Sequence, residues 1–213
     1  MIGGFRYIRD SLAGAFEVMM GRPEGLNRLD TSIDGFWRSF GAIVFIVPFA
    51  LLALISQQPL LTEAGSPPEI ATESDPSPSL EAEPAPAEPL TGADVALDGI
   101  ALLVDWFAFP LFFAVLARPF GLASHYVPFI VARNWASVII GAMVAVVHVL
   151  HLLGMLPTAA MPYALLVAIA VSLRFSYVIA RTALFVSVAV ALPIVILDLL
   201  LSLTIWSLFD RLT

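Results

Sequence analysis

The chain has 213 residues, 60% of them hydrophobic, with a mean hydropathy of +0.94 and a formal net charge of −7. Charged residues make up only 13%, about half the share of an ordinary soluble domain; a water-soluble domain of this size cannot hide so much apolar surface, whereas a bilayer is itself solvent for it. The acidic balance and the absence of a basic stripe exclude a nucleic-acid partner, and the absence of Cys excludes disulfides, iron–sulfur clusters and thiolate zinc sites.

Residues 4–20 have the period of an amphipathic helix. Phe5, Ile8, Leu12, Phe16 and Met19 share one face, with Arg6, Asp10, Gly14 and Glu17 opposite. The stretch is too polar to span, so it either lies on the membrane surface or docks on the other helices. Gly21-Arg22-Pro23-Glu24-Gly25 is a turn cluster. Thr31 followed by Asp34 resembles a capping box and starts the first spanning helix near Ser32. Its long apolar run begins near Phe40, after five Arg residues and with no small-x-small cleavage site close behind, so it reads as a retained anchor and not a secretory signal.

Residues 57–96 alternate Pro with Asp and Glu and contain no Arg; too little apolar surface is present to offset ordering, and the segment reads as a disordered, acidic, Pro-rich loop. Further spans are expected at 97–117, 136–156, 159–180 and 183–208, with Arg118–Trp135 as a loop whose apolar stretch Tyr126–Val131 skims the interface. Ala160, Ala164, Ala168, Ser172, Ser176 and Ala180 recur at every fourth residue, as do Ser137, Gly141 and Ala145, and both faces suit close helix packing. Pro48, Pro110 and Pro193 fall inside spans. The expected fold is all-α: a polytopic transmembrane bundle of about five spans, with a segment 1–31, a first helix 32–56, the loop 57–96 and a four-helix region 97–213.

Arg residues cluster before the first span (Arg6, Arg9, Arg22, Arg28, Arg38), after the second (Arg118, Arg133) and after the fourth (Arg181). The positive-inside rule then places the N-terminus in the cytoplasm and residues 57–96 outside. Trp37, Trp135 and Trp206 fall near span ends, as an aromatic belt requires; Trp106 lies too deep for one.

Ionisable residues inside spans carry the chemical signal, because an Asp at a helix centre costs about 2.5–3.5 kcal/mol on insertion. Asp105, His148, His151 and Asp198 are expected in one layer of the outer half of the bundle. They suit a proton or ion layer, with a purely structural helix-tying network as the plainer alternative; His148 and His151 have the spacing of a metal pair, but no metal and no cofactor is assigned. Arg174 and Arg181, near the inner end of the fourth span, suit lipid headgroups reached by snorkelling, or for Arg174 an ion pair with Asp30 or Asp34. No phosphate loop, nucleophile elbow or HExxH is present, so no enzyme is expected.

Gly21-Arg22-Pro23-Glu24 before the first of five closely spaced helices resembles the five-span Yip-type membrane family, from which the long acidic loop departs. Phe36-Trp37-Arg38-Ser39-Phe40 and Ala180-Arg181-Thr182-Ala183-Leu184 resemble segments of small multi-pass membrane proteins of alphaproteobacteria, which implies a bacterial inner membrane with residues 57–96 in the periplasm. The expected function is that of a non-enzymatic membrane scaffold or assembly partner, the alternative a small proton- or ion-coupled permeation protein; the expected partners are membrane lipids and other membrane proteins.

Overall fold

The computed structural model describes the backbone of residues 2–64 and 91–212 and the side chains of 4–56 and 91–212. Among the described residues all regular structure is helical: α1 (Ile2–Met19), α2 (Ile33–Ser39), α3 (Ile43–Ala64), α4 (Gly92–Ala117), α5 (Tyr126–Leu152), α6 (Met161–Leu184) and α7 (Val188–Phe209), with short 3-10 turns between some of them. Five segments are long and apolar enough to cross a membrane: Ile33–Ser56, Gly92–Ala117, Ala123–Leu152, Thr158–Leu184 and Val188–Phe209. The first joins α2 to α3 through the 3-10 step Phe40–Ala42. Of the expected loop 57–96, residues 65–90 lie outside the described residues; at its edges α3 runs on to Ala64 and α4 begins at Gly92.

The early start of α4 has a local cause. The Thr91 N–H donates to the Asp94 carboxylate at 2.7 Å while the Asp94 N–H donates to the Thr91 hydroxyl oxygen at 3.3 Å, a complete capping box. The same T-x-x-D spacing at Thr31 and Asp34 does not form one. There Ser32 is the cap, accepting the Gly35 N–H at 3.0 Å, and Asp30 accepts both the Ser32 hydroxyl (2.6 Å) and its N–H (3.2 Å). The Ser32 hydroxyl bond, helped by the Ser32 N–H and the Arg38 guanidinium 4.0 Å away, holds the Asp30 carboxyl below the usual carboxylate range.

The third span differs most from expectation. Helix α5 begins at Tyr126, ten residues before Ala136, and ends at Leu152, four before Leu156. The apolar stretch Tyr126–Val131 is its first turns, with Pro128 where the helix needs no N–H. At the other end Gly154 takes a left-handed φ of +70° and donates to the His151 carbonyl at 2.9 Å, closing the helix. The loop Arg118–Trp135 thus shrinks to residues 118–125. Helix α6 continues past Ala180 to Leu184, and α7 starts at Val188, five residues after Ala183. The turn between them has neither Gly nor Pro: Phe185 itself takes the left-handed conformation (φ 55°, ψ 39°).

Helix α5 is the central element, packing on α1, α2, α3 and α6, while α4 packs mainly on α7 and α7 also on α6. On its small-residue face Gly141 lies against Phe49 of α3, where a Cβ would come within 3.1 Å of the ring. Helix α1 docks on α5 and α6 and buries Ala15, Val18 and Met19. The docked face is rotated from the expected one: Phe5 is 74% and Phe16 is 51% exposed. Docking places the Tyr7 ring edge-on to Trp135, 5.6 Å between centroids. Trp135 is therefore buried beneath α1, not part of a lipid-facing belt, and Trp106 is buried inside the bundle.

Candidate functional site

The polar centre of the bundle is built around a residue that its sequence position disguises. With α5 starting at Tyr126, Arg133 lies seven residues inside the helix, about 10 Å from its start, not in a loop. Its guanidinium reaches α7, donating through Nη2 to Asp198 Oδ1 at 2.8 Å and through Nε to Oδ2 at 3.3 Å, a two-pronged pair with side chains only 16% and 21% exposed. The ring of Phe109 on α4 supports the guanidinium from one face, 4.7 Å from its centroid.

Asp105 joins this pair in one cavity of about 280 Å³ at the meeting of α3 to α7, walled also by Trp106, Ser137 and Ser176. Asp105 accepts the Ser202 hydroxyl of α7 at 2.6 Å. Counted from the helix ends on the α1 side, Arg133, Asp198 and Asp105 sit about 10, 15 and 18 Å in, a rising ladder through the middle of the bundle. Two donors of the cavity residues, Arg133 Nη1 and Trp106 Nε1, are buried and have no hydrogen-bond partner among the described residues. Buried donors of this kind are costly, by about 1–3 kcal/mol each. Pro110, one turn after Trp106, also withdraws the N–H that would have capped the Trp106 carbonyl.

The expected four-residue layer divides into two places. Asp105 and Asp198 share the cavity; His148 and His151 lie near the far end of α5, about 6 and 1.5 Å from Leu152. His148 is 4% exposed and its Nδ1 lies 2.6 Å from the Ser56 hydroxyl of α3. The Ser56 hydroxyl also reaches the Ala53 carbonyl at 2.9 Å, so it stands between that carbonyl and the imidazole. His151 Nδ1 donates to the Leu156 carbonyl at 3.0 Å. Among the described residues no group of three or more His, Asp or Glu is gathered as a metal site requires. Asn134, beside Arg133, adds another interhelical bond, its Nδ2 donating to Ser39 Oγ at 3.0 Å.

Arg174 and Arg181 stand apart from this centre, exposed on α6, and neither enters a salt bridge among the described residues. Asp30 is engaged by Ser32 and Arg38 instead. Sequence reasoning missed Arg133 because it counted the residue among interfacial charges. Two signals point to it: Pro128 as a helix-opening residue, and the need of an intramembrane Asp198 for a counter-charge. Comparison with protein-family models, with curated proteins and with solved structures finds no match for this chain.

Proposed function

We propose that this membrane protein takes up and releases a proton or a small monovalent cation at the Asp105–Arg133–Asp198 cluster. The observation that carries the reading is the Arg133–Asp198 ion pair sharing one cavity inside the bundle with a second carboxylate, Asp105. One positive charge balances one carboxylate; a proton or cation at Asp105 balances the other, and in a low-dielectric interior that balance is worth several kcal/mol. Loss of the proton from Asp105 creates a second claimant for Arg133, so the charge on one helix is coupled to the α5–α7 clasp. The cluster works without enzymatic chemistry. The arginines at the α1 end support a cytoplasmic placement of that end, in a bacterial inner membrane.

The test is flux in proteoliposomes carrying an internal pH dye. Wild-type protein is expected to dissipate an imposed pH gradient faster than empty liposomes, and Asp105→Asn, with unchanged helical content, to abolish the excess. Wild-type flux no faster than empty liposomes, or full flux in Asp105→Asn, overturns the proposal.

The second reading is a membrane scaffold or assembly partner. It is favoured by polar clasps that each tie a different helix pair: Asn134 to Ser39, His148 to Ser56, Ser202 to Asp105 and Arg133 to Asp198. Under that reading the same substitutions change thermal stability and leave ion flux at the level of empty liposomes.

A further inference from the structure

Arg174, Tyr177 and Arg181 recur at i, i+3 and i+7 on α6, so they form a strip along one face of the helix. The strip runs from the α1 end of the bundle inward, with Arg174 about 10 Å deeper than Arg181. Two grooves meet on it. The outer one is walled by Arg181, Thr182 and Phe185 of α6 and its turn, and by Met20, Gly21 and Pro23 of the segment after α1. The inner one, beside Arg174, is aliphatic apart from Tyr177, between Leu173 of α6 and Leu192, Val195, Ile196 and Leu199 of α7. Tyr177 lines both. Among the described residues both guanidinium groups are exposed and without a carboxylate partner, and Arg174 makes a loose ring contact, 5.7 Å to the Phe175 centroid.

We infer that this strip is a binding site for one anionic phospholipid of the leaflet at the α1 end. The chemistry is that of a phosphate carried on an acyl chain. Two unpaired cations, one at headgroup level and one deeper, are matched by a phosphodiester drawn slightly into the bilayer. The aliphatic groove between α6 and α7 continues from the deeper arginine and accepts the attached chain. Arg174 facing bare hydrocarbon is costly; a lipid phosphate at Tyr177 level removes that cost without a second protein. The site is independent of the Asp105–Arg133–Asp198 cluster.

The test uses the full chain purified in mild detergent, with phosphatidylglycerol or phosphatidylcholine added at equal concentration and bound lipid counted by native mass spectrometry. Wild-type protein is expected to retain one phosphatidylglycerol in preference to phosphatidylcholine. Arg174→Gln and Arg181→Gln are each expected to lower retention about fivefold, while Arg174→Lys keeps most of it and shows that the position tolerates change. Arg28→Gln is the control: its guanidinium already engages Glu17 at 3.0 Å at the same end of the bundle, so retention is unchanged. Equal loss in Arg28→Gln, or no preference for phosphatidylglycerol, overturns the site. Displacement of the lipid by millimolar sn-glycerol 3-phosphate overturns its assignment to a lipid and gives the arginines to a soluble phosphate compound.

Discussion

A guanidinium two turns inside a membrane helix must find a counter-charge, and Arg133 finds Asp198 on a helix 65 residues away in sequence. Removing either partner strands the other in a medium that solvates charge poorly. Arg133→Leu and Asp198→Leu are each expected to destabilise the bundle by about 3–5 kcal/mol, whereas the double variant, which removes both charges, recovers most of the loss. Thermal unfolding of the four proteins in one detergent measures the cycle. Additive losses in the double variant show that the two side chains do not depend on each other. The neighbouring pair Asp105–Ser202 behaves differently, because a hydroxyl supplies only a bond and not a charge. Under the proposed function, Asp105 is the carboxylate that a proton or cation satisfies.

At the scale of elements, the least comfortable junction is the three-residue turn Phe185–Ser187 between α6 and α7. A left-handed conformation costs a β-carbon-bearing residue about 1–2 kcal/mol, and Phe185 accepts that cost while leaving 63% of its surface exposed. Phe185→Gly is expected to stabilise the bundle by about 1 kcal/mol, read as a rise of the unfolding midpoint in detergent; a fall shows that the Phe185 ring, which lies 5.4 Å from His125, anchors the turn more than the backbone strains it. The existence of five apolar spans was legible in the sequence because hydrocarbon imposes length and composition directly. Some ends were legible too, Ser32 as the first cap and Ala117 as the end of α4, but the start of α4 was not, because a T-x-x-D pair reads the same whether or not a competing group takes the cap. At Thr31 the Ser32 hydroxyl and the Asp30 carboxylate took it; at Thr91 nothing did. The ten-residue error at the start of α5 hid Arg133, and the four-residue error at its end put His148 about 6 Å too deep. Asp105 and Asp198 were identifiable as residues, since their cost inside a span is intrinsic; Arg133 as the partner of Asp198 was not, since pairing across α5 and α7 is a property of packing alone.

For the whole molecule, orientation follows from which end carries the fixed positive charge. Helix α1, the start of α5 and the end of α6 lie together, so Arg6, Arg9, Arg22, Arg28, Arg38, Arg118 and Arg181 share one end, and Arg211 is the arginine near the other. Transferring Arg133 from that tally into the bundle interior lowers the count by one and leaves its sign intact, because the rule counts cations near helix ends and not ones neutralised within a span. A chain without Cys lends itself to a direct check. Phe120, 68% exposed in the turn before α5, and Met155, 70% exposed in the turn after it, sit at opposite ends of one helix. In intact spheroplasts a membrane-impermeant maleimide is expected to label Met155→Cys at once and Phe120→Cys only after permeabilisation. The reverse pattern inverts the molecule and moves the Arg174–Arg181 strip to the outer leaflet. Equal labelling of both means that the chain inserts in two orientations, which puts the Arg174–Arg181 strip in both leaflets while leaving gradient-driven flux through the Asp105–Arg133–Asp198 cluster unaffected, because downhill flux takes its direction from the gradient and not from the orientation of the protein.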